Sequence, residues 1–332
     1  MADLRGPDIQ PAFIGIPTFA HAPFALTQEE LRSLKPDVAI IGAPVDMGVV
    51  NRPGARFGPR AIRQAGYAGS PNDRFYHMGL DVYPMRELKV VDFGDANCPP
   101  SSLEQSHEAI RVKVMQALHT GALPIVLGGD HSITLPSATA VAQHHGYGKV
   151  GMVHFDAHAD TGLSGYGGVL ISHANPMRRL LESGAIPGKN FVQIGLRGYW
   201  PERELFEWMQ NQGMRWHLMS EIETRGFDEV ITDAISEALD GAEHLYLSVD
   251  IDVADPGFAP GTGTPEPGGL TARELLRAIR RIVGSEVHLV AMDIVEVSPP
   301  YDSAGITAQL AHRVVLEAIS ALARKKADAA GE

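Results

Sequence analysis

From residue 37 onward the chain alternates short, β-branched apolar runs with longer amphipathic stretches. The runs at 37–44 (DVAIIGAP), 89–95, 124–130, 150–158, 191–197, 214–219, 244–252 and 287–297 predict strands. The stretches at 103–119, 134–144, 174–183, 201–212, 226–239, 271–283 and 303–325 predict helices. Strands that are apolar on both faces and separated by helices form βαβ units, so the fold class is α/β with a parallel sheet covered on both sides. No internal repeat or linker interrupts the rhythm, and residues 37–325 are expected to form a single catalytic domain. Residues 1–36 hold the irregular apolar segment FIGIPTFAHAPFAL and the helical-looking TQEELRSL. This extension is expected to pack on the domain or on a neighbouring subunit, with 326–332 as a short C-terminal tail.

Composition narrows the functional classes. With 44% hydrophobic and 20% charged residues, general disorder is excluded. The formal charge of −12, from 28 bases and 40 acids, argues against non-specific nucleic-acid or anionic-membrane binding. It suits a small cationic ligand, or carboxylates neutralised by bound metal. Cys98 is the 1 cysteine of the chain, which excludes an internal disulfide framework and any Cys-rich zinc site. The opening MADLRGPDIQ lacks the apolar core of a signal peptide, and no apolar run approaches the ~20 residues that span a bilayer. A reducing cytoplasm is the expected compartment.

Several predicted strands end in polar clusters: GGDH, DAHAD, DID and EVSPP. In an open parallel sheet the ligand crevice lies beyond the carboxyl ends of the strands, so these clusters should converge. DAHAD spaces Asp156, His158 and Asp160 two residues apart, and SVDID spaces Asp250 and Asp252 likewise; if extended, each set points to one face. GGDHS adds His131. Four converging carboxylates would repel one another and raise one another's pKa values, a problem that a pair of divalent cations removes. Oxygen and imidazole donors without thiolate suit Mn²⁺ and accept Co²⁺, Ni²⁺ or Zn²⁺. His154 shares parity with Asp156 and reads as a residue that orients a ligand.

GGDHS, HFDAHAD and SVDIDVADPGFAPGTGTPEPGGLTARE, flanked by NRPGARFGPRAIR and MDIVEVSPPYD, closely resemble the ureohydrolase family of arginase, agmatinase and guanidinobutyrase. The resemblance spans roughly residues 37–320, and FIGIPTF is similar to the agmatinase and guanidinobutyrase branch. It implies a three-layer α/β/α fold with a central eight-stranded parallel sheet. It also implies two divalent ions per chain, Mn²⁺ first and Ni²⁺ as the main alternative. His131, Asp156, Asp160 and Asp250 would hold one ion, and Asp156, His158, Asp250 and Asp252 the other. The implied reaction is hydrolysis of a guanidino C–N bond, with agmatinase-like release of urea and an amine. In it Asp160 relays a proton to the leaving amine, His173 shuttles protons, and Glu274 in GGLTARE pairs with the guanidinium. Glu274 also reads as half of a Thr-x-x-Glu capping box with Thr271. The family tendency toward trimers and hexamers implies a homo-oligomer, with a hetero-oligomer including a related subunit as the alternative.

One loop departs from the family pattern. DTGLSGYGGVLISHANPMRR carries no charged side chain between Thr161 and His173, and Gly162 stands where agmatinases have Trp. A small or alkylated guanidine or a biguanide, with nickel, is therefore an alternative substrate class. A catalytically silent partner subunit and an amide-cleaving deacetylase are readings from other classes, both disfavoured by the complete ligand set.

Overall fold

The computed structural model describes residues 10–69 and 72–331. Eight strands form one sheet: β1 (Val38–Ala43), β2 (Val90–Asp95), β3 (Leu123–Gly128), β4 (Val150–Phe155), β5 (Phe191–Leu196), β6 (Arg215–Leu218), β7 (His244–Asp250) and β8 (Leu289–Val295). Their order is β2-β1-β3-β8-β7-β4-β5-β6, and every pairing is parallel. The inner strands are buried along their length, which is why they read as nearly unbroken apolar runs.

Helices cover both faces. They are α1 (Gln28–Leu34), α2 (Gly58–Gln64), α3 (Pro84–Glu87), α4 (Leu103–Leu118), α5 (Thr134–His145), α6 (Pro176–Glu182), α7 (Arg203–Asn211), α8 (Met219–Arg225), α9 (Phe227–Ala238), α10 (Ala272–Gly284) and α11 (Ile306–Gly331). One core gathers Ile62 of α2 with the apolar faces of α9, α10 and α11. The other gathers Leu31 of α1 with the inner faces of α4, α5 and α6. In α10 the buried positions are Leu275, Ala278, Ile279, Ile282 and Val283, while Arg273 and Arg277 face water. That i, i+3, i+4, i+7, i+8 spacing is one helical stripe. By length and composition α11 could cross a bilayer, but 72% of its apolar window is buried inside the protein.

Three expectations are revised. The segment 326–331 is not a tail, because α11 continues to Gly331; KKADAA holds no Gly or Pro to stop it. The strand expected to reach His158 ends at Phe155, and the one expected to reach Asp252 ends at Asp250. Residues 1–9 of the N-terminal extension lie outside the described residues. Of the rest, Phe19 and Ala25 are buried, whereas Phe13 and Ile16 are exposed. Residues 23–25 lie along the edge strand β2: Asp92 N donates to Pro23 O and Ala25 N to Asp92 O. They cover an edge that would otherwise present unpaired backbone groups. Asp92 also accepts Phe19 N at 2.8 Å and a two-pronged contact from the buried Arg63, at 2.8 and 2.9 Å.

Candidate active site

The sheet order makes β3, β8, β7 and β4 consecutive neighbours. Their carboxyl ends therefore bring together chemistry that is scattered over more than a hundred residues of sequence. His131 follows β3 on a single 3-10 turn, and Asp130 caps that turn by accepting Ser132 N at 2.9 Å. The turn passes so close to β1 that a side chain at Gly129 would lie 2.4 Å from Ala43 O, so this position requires glycine.

DAHAD and DID converge, but not through extended backbone. After β4, His158 N donates to Asp156 Oδ1 at 2.6 Å; after β7, Asp252 N donates to Asp250 Oδ1 at 2.8 Å. In each case an aspartate accepts the amide two residues on and folds the chain back, the turn that Asp favours. Asp160 then sits at φ 53°, a left-handed conformation uncommon for a residue with a side chain.

The resulting cluster is tight. His131 Nδ1 lies 3.1 Å from Asp156 Oδ2, 3.1 Å from Asp160 Oδ2 and 3.0 Å from Asp250 Oδ2. His158 Nδ1 lies 3.1 Å from Asp252 Oδ2 and 3.4 Å from Asp156 Oδ1. Thus the structure brings His131, Asp156, His158, Asp160, Asp250 and Asp252 together at one place. His154 joins them, its Nε2 at 2.9 Å from Asp156 Oδ2 and its Nδ1 at 3.0 Å from Gln193 Nε2. Behind His131, Ser248 Oγ bridges Nε2 (3.1 Å) to Asp293 Oδ1 (2.7 Å). The Asp293 carboxylate also accepts Tyr246 OH and Thr134 Oγ1.

Electrostatics mark this cluster as built for cations. Burial, Asp252 and Asp156 raise the Asp250 pKa well above the carboxylate range. Burial opposes charge on Asp156 too, but His131, His154 and His158 hold its pKa well below that range. Burial likewise opposes charge on His158, yet Asp252 and Asp156 push its pKa up to about 12. Without cations His131 and His158 carry protons that balance the carboxylates, and metal ions compete for the same positions. His131 Nδ1, His154 Nε2 and Asp156 Oδ2 are buried with no hydrogen-bond partner, although carboxylate and imidazole atoms crowd around them. Two groups of donors have metal-holding spacing: His131 with His154 and Asp156, and Asp156 with His158 and Asp252. The donor set fits divalent cations.

His173 is buried beside the cluster. Its Nδ1 lies 2.9 Å from Glu296 Oε1, and its Nε2 accepts Val50 N at 3.1 Å. Burial opposes protonation, but Glu296, Asp160 and Asp130 raise the His173 pKa to about 9. The Val50 N–H needs a lone pair on Nε2, so this contact belongs to the neutral Nδ1–H tautomer, the form that prevails above that raised pKa. Protonation at Nε2 would release Val50.

Glu274 is not part of this cluster. Its Oε2 accepts Thr271 N at 2.8 Å and Thr271 Oγ1 at 2.7 Å, completing the capping box that starts α10. No hydrogen bond or ion pair joins it to the cluster among the described residues. The carboxylate that is present instead is Glu296, just after β8. It is buried, sits at φ 63°, and accepts His131 N at 2.8 Å on the same Oε1 that meets His173. Its Oε2 is buried without a partner. A side chain at Gly263 would approach this oxygen to 3.3 Å, so glycine leaves room there. The sequence signal was the acid in EVSPP at the end of an otherwise apolar run.

Other motifs settle into structural roles. Arg56 pairs with Asp46, and Arg60 is exposed. Burial pushes the Cys98 thiol up to about 12, which leaves it unreactive.

A family model described as "Arginase family" matches residues 36–321. Guanidinobutyrase of Pseudomonas aeruginosa is 39% identical over 317 residues, covering 96% of this chain and 95% of that one. The structure of proclavaminate amidinohydrolase from Streptomyces clavuligerus superposes with a TM-score of 0.84 at 36% identity, covering 95% of this chain and 100% of that chain. A formiminoglutamase of Trypanosoma cruzi, solved with Mn²⁺, superposes with a TM-score of 0.78 at 26% identity over 90% of this chain and 96% of that one.

Proposed function

Because this chain belongs to the arginase family, we propose that it is a metal-dependent hydrolase that cleaves a guanidino C–N bond and releases urea and an amine. His131, Asp156, His158, Asp160, Asp250 and Asp252 would hold two divalent cations, Mn²⁺ first and Ni²⁺ as the alternative. Such ions, when bound, supply Lewis acidity and a nucleophile at neutral pH.

The observation that carries the reading is Glu296: a buried carboxylate beside the cluster, one oxygen engaged and the other free. A guanidinium is planar and presents parallel N–H groups, the geometry a carboxylate matches best. Glu296 would bind it through Oε2 while His131 N and His173 Nδ1 fix Oε1. The leaving nitrogen needs a proton, because an amide anion is too basic to depart at neutral pH. Asp160 is the proton carrier in this reading; its side chain is more exposed than those of Asp156, Asp250 and Asp252. His173 orients Glu296, and it can pass protons only by letting go of Val50.

For the substrate tail we favour a guanidino acid. The loop from Gly162 to Ser172 has no charged side chain to meet either sign of tail. Arg178 and Arg179 donate to the carbonyls of Thr161 and Leu163 and so hold the loop's base. Arg52 is a cation with an exposed side chain near the site, its guanidinium over the Tyr301 ring at 5.2 Å. Its carbonyl lies across Gly263 from Glu296 Oε2. A carboxylate tail would meet it. The test is a panel of 4-guanidinobutanoate, 3-guanidinopropanoate, agmatine, dimethylguanidine and metformin, assayed for urea and amine with protein loaded with Mn²⁺, Ni²⁺, Co²⁺ or Zn²⁺. A higher kcat/KM for the guanidino acids is expected. Preference for agmatine would overturn the tail assignment, and turnover of the uncharged-tail guanidines alone would favour the compact-substrate reading.

A further inference from the structure

Histidines also gather at the opposite end of the sheet. Strand β7 begins at His244 and ends at Asp250. Six residue steps at ~3.3 Å put the two ends roughly 20 Å apart, so His244 lies well away from the Asp/His cluster. His288 immediately precedes β8, and α5 ends on His144 and His145. Ring centroids are 4.4 Å apart for His145 and His244, 4.8 Å for His244 and His288, and 4.8 Å for His144 and His145. His119, after α4, continues the row at 5.9 Å from His144. The Nδ1 atoms of His244 and His288 stand 2.9 Å apart. Two imidazole nitrogens each ~2.0–2.1 Å from one cation are separated by roughly 2.9–3.4 Å, depending on the bond angle.

These rings are not packed core. His144 and His288 are exposed, and His145 and His244 half-buried. Burial and the neighbouring imidazoles push the His145 pKa down to about 4 and lower those of His144 and His244 as well. At neutral pH His144, His145 and His244 therefore present lone pairs rather than charge. Lys149 is the nearby cation, and it is paired with Glu243 at 2.7 Å.

We propose that His244 and His288, through their Nδ1 atoms, form a second metal site at the base of the sheet, with water completing the coordination. It would take a divalent cation that prefers imidazole, such as Ni²⁺, Zn²⁺ or Cu²⁺, over Mn²⁺. The proposal is independent of the catalytic reading, because none of its residues belongs to the Asp/His cluster.

The test uses untagged, Mn²⁺-loaded protein titrated with Ni²⁺, with both metals counted afterwards. Wild type should bind Ni²⁺ beyond its Mn²⁺ content and should be retained on a Ni²⁺-chelate resin. His244→Ala/His288→Ala should lose both properties while keeping its Mn²⁺ content and kcat/KM. The single variant His288→Ala, at an exposed side chain, should weaken Ni²⁺ uptake without disturbing the fold. If wild type takes up Ni²⁺ only by displacing Mn²⁺, or if the variants bind as wild type does, the site does not exist.

Discussion

Replacing Glu296 by Gln changes very little except charge. The carbonyl of Gln can still accept His131 N (2.8 Å) and His173 Nδ1 (2.9 Å) in place of Oε1. The amide nitrogen then replaces Oε2, the buried oxygen without a partner. A guanidinium approaching that position would meet a donor where it needs an acceptor. The loss is one charge-assisted hydrogen bond, about 1.5–3 kcal/mol, which corresponds to a roughly 10- to 150-fold fall in kcat/KM. Glu274→Gln is the matched control. Gln also completes a capping box, and the cap as a whole is worth only ~0.5–2 kcal/mol of stability. Its kcat/KM should stay close to wild type. Both variants would be assayed for urea release at matched metal content, with a urea denaturation curve to confirm folding. Full activity in Glu296→Gln, or an equal loss in Glu274→Gln, would refute the assignment of the guanidinium to Glu296.

Asp250→Asn should lose bound metal as well as turnover, because Asp250 faces His131 Nδ1 at 3.0 Å; elemental analysis showing a full complement of ions would contradict its role as a ligand. Transplanting an agmatinase-like loop in place of Gly162–Ser172 should shift relative kcat/KM toward agmatine at constant metal content; an unchanged substrate ranking would move selectivity to Arg52 and its loop. Arg63→Met leaves the buried Asp92 without its two-pronged partner, a loss of ~3–5 kcal/mol for a broken buried pair, to be read from the denaturation midpoint. His312 is buried, stands over the Phe19 ring at 4.5 Å and has Nδ1 on Ile62 O at 2.8 Å, and burial lowers its pKa from 6.5 to about 4. Between those values the unfolded chain binds the proton and the folded one does not. Its contribution is therefore complete above pH 6.5 and drains away toward pH 4, by about 3 kcal/mol in all. His312→Asn should flatten the acid limb of the stability curve; a limb of unchanged slope would show that other groups set it.

Much of this was legible from residues alone, for identifiable reasons. The strands were readable because burial on both faces removes polar residues from them, as VAIIGA of β1 illustrates. The convergence of the Asp and His side chains was readable because their strands are neighbours and their turns are local. The turns themselves were not. Period-two spacing suggested extended backbone, whereas each Asp accepts the amide two residues on, and spacing alone does not separate the two. Glu296 was overlooked because one acid at the end of an apolar strand has no partner nearby in sequence; what identifies it is contact with His131 and His173, more than a hundred residues away. In the proposed reading Glu296 takes the role expected of Glu274, whose Oε2 Thr271 engages locally.

The backbone at the site adds a constraint beyond the chemistry of these side chains. Asp160 and Glu296 both sit at positive φ, 53° and 63°. For residues with a side chain this costs of order 1–3 kcal/mol each, so the surrounding contacts must hold them. For Glu296 those contacts are His131 N and His173 Nδ1, both on Oε1. His173 in turn accepts Val50 N, and His173 N donates to Gly48 O. One carboxylate thus ties the turn that carries His131 to the 48–52 loop that carries Arg52. In the proposed reading the residue that grips the guanidinium also fixes the distance to the tail-binding cation. A change at His173 should then alter KM for long and short guanidino acids unequally, where loss of a proton shuttle alone would lower kcat for both alike.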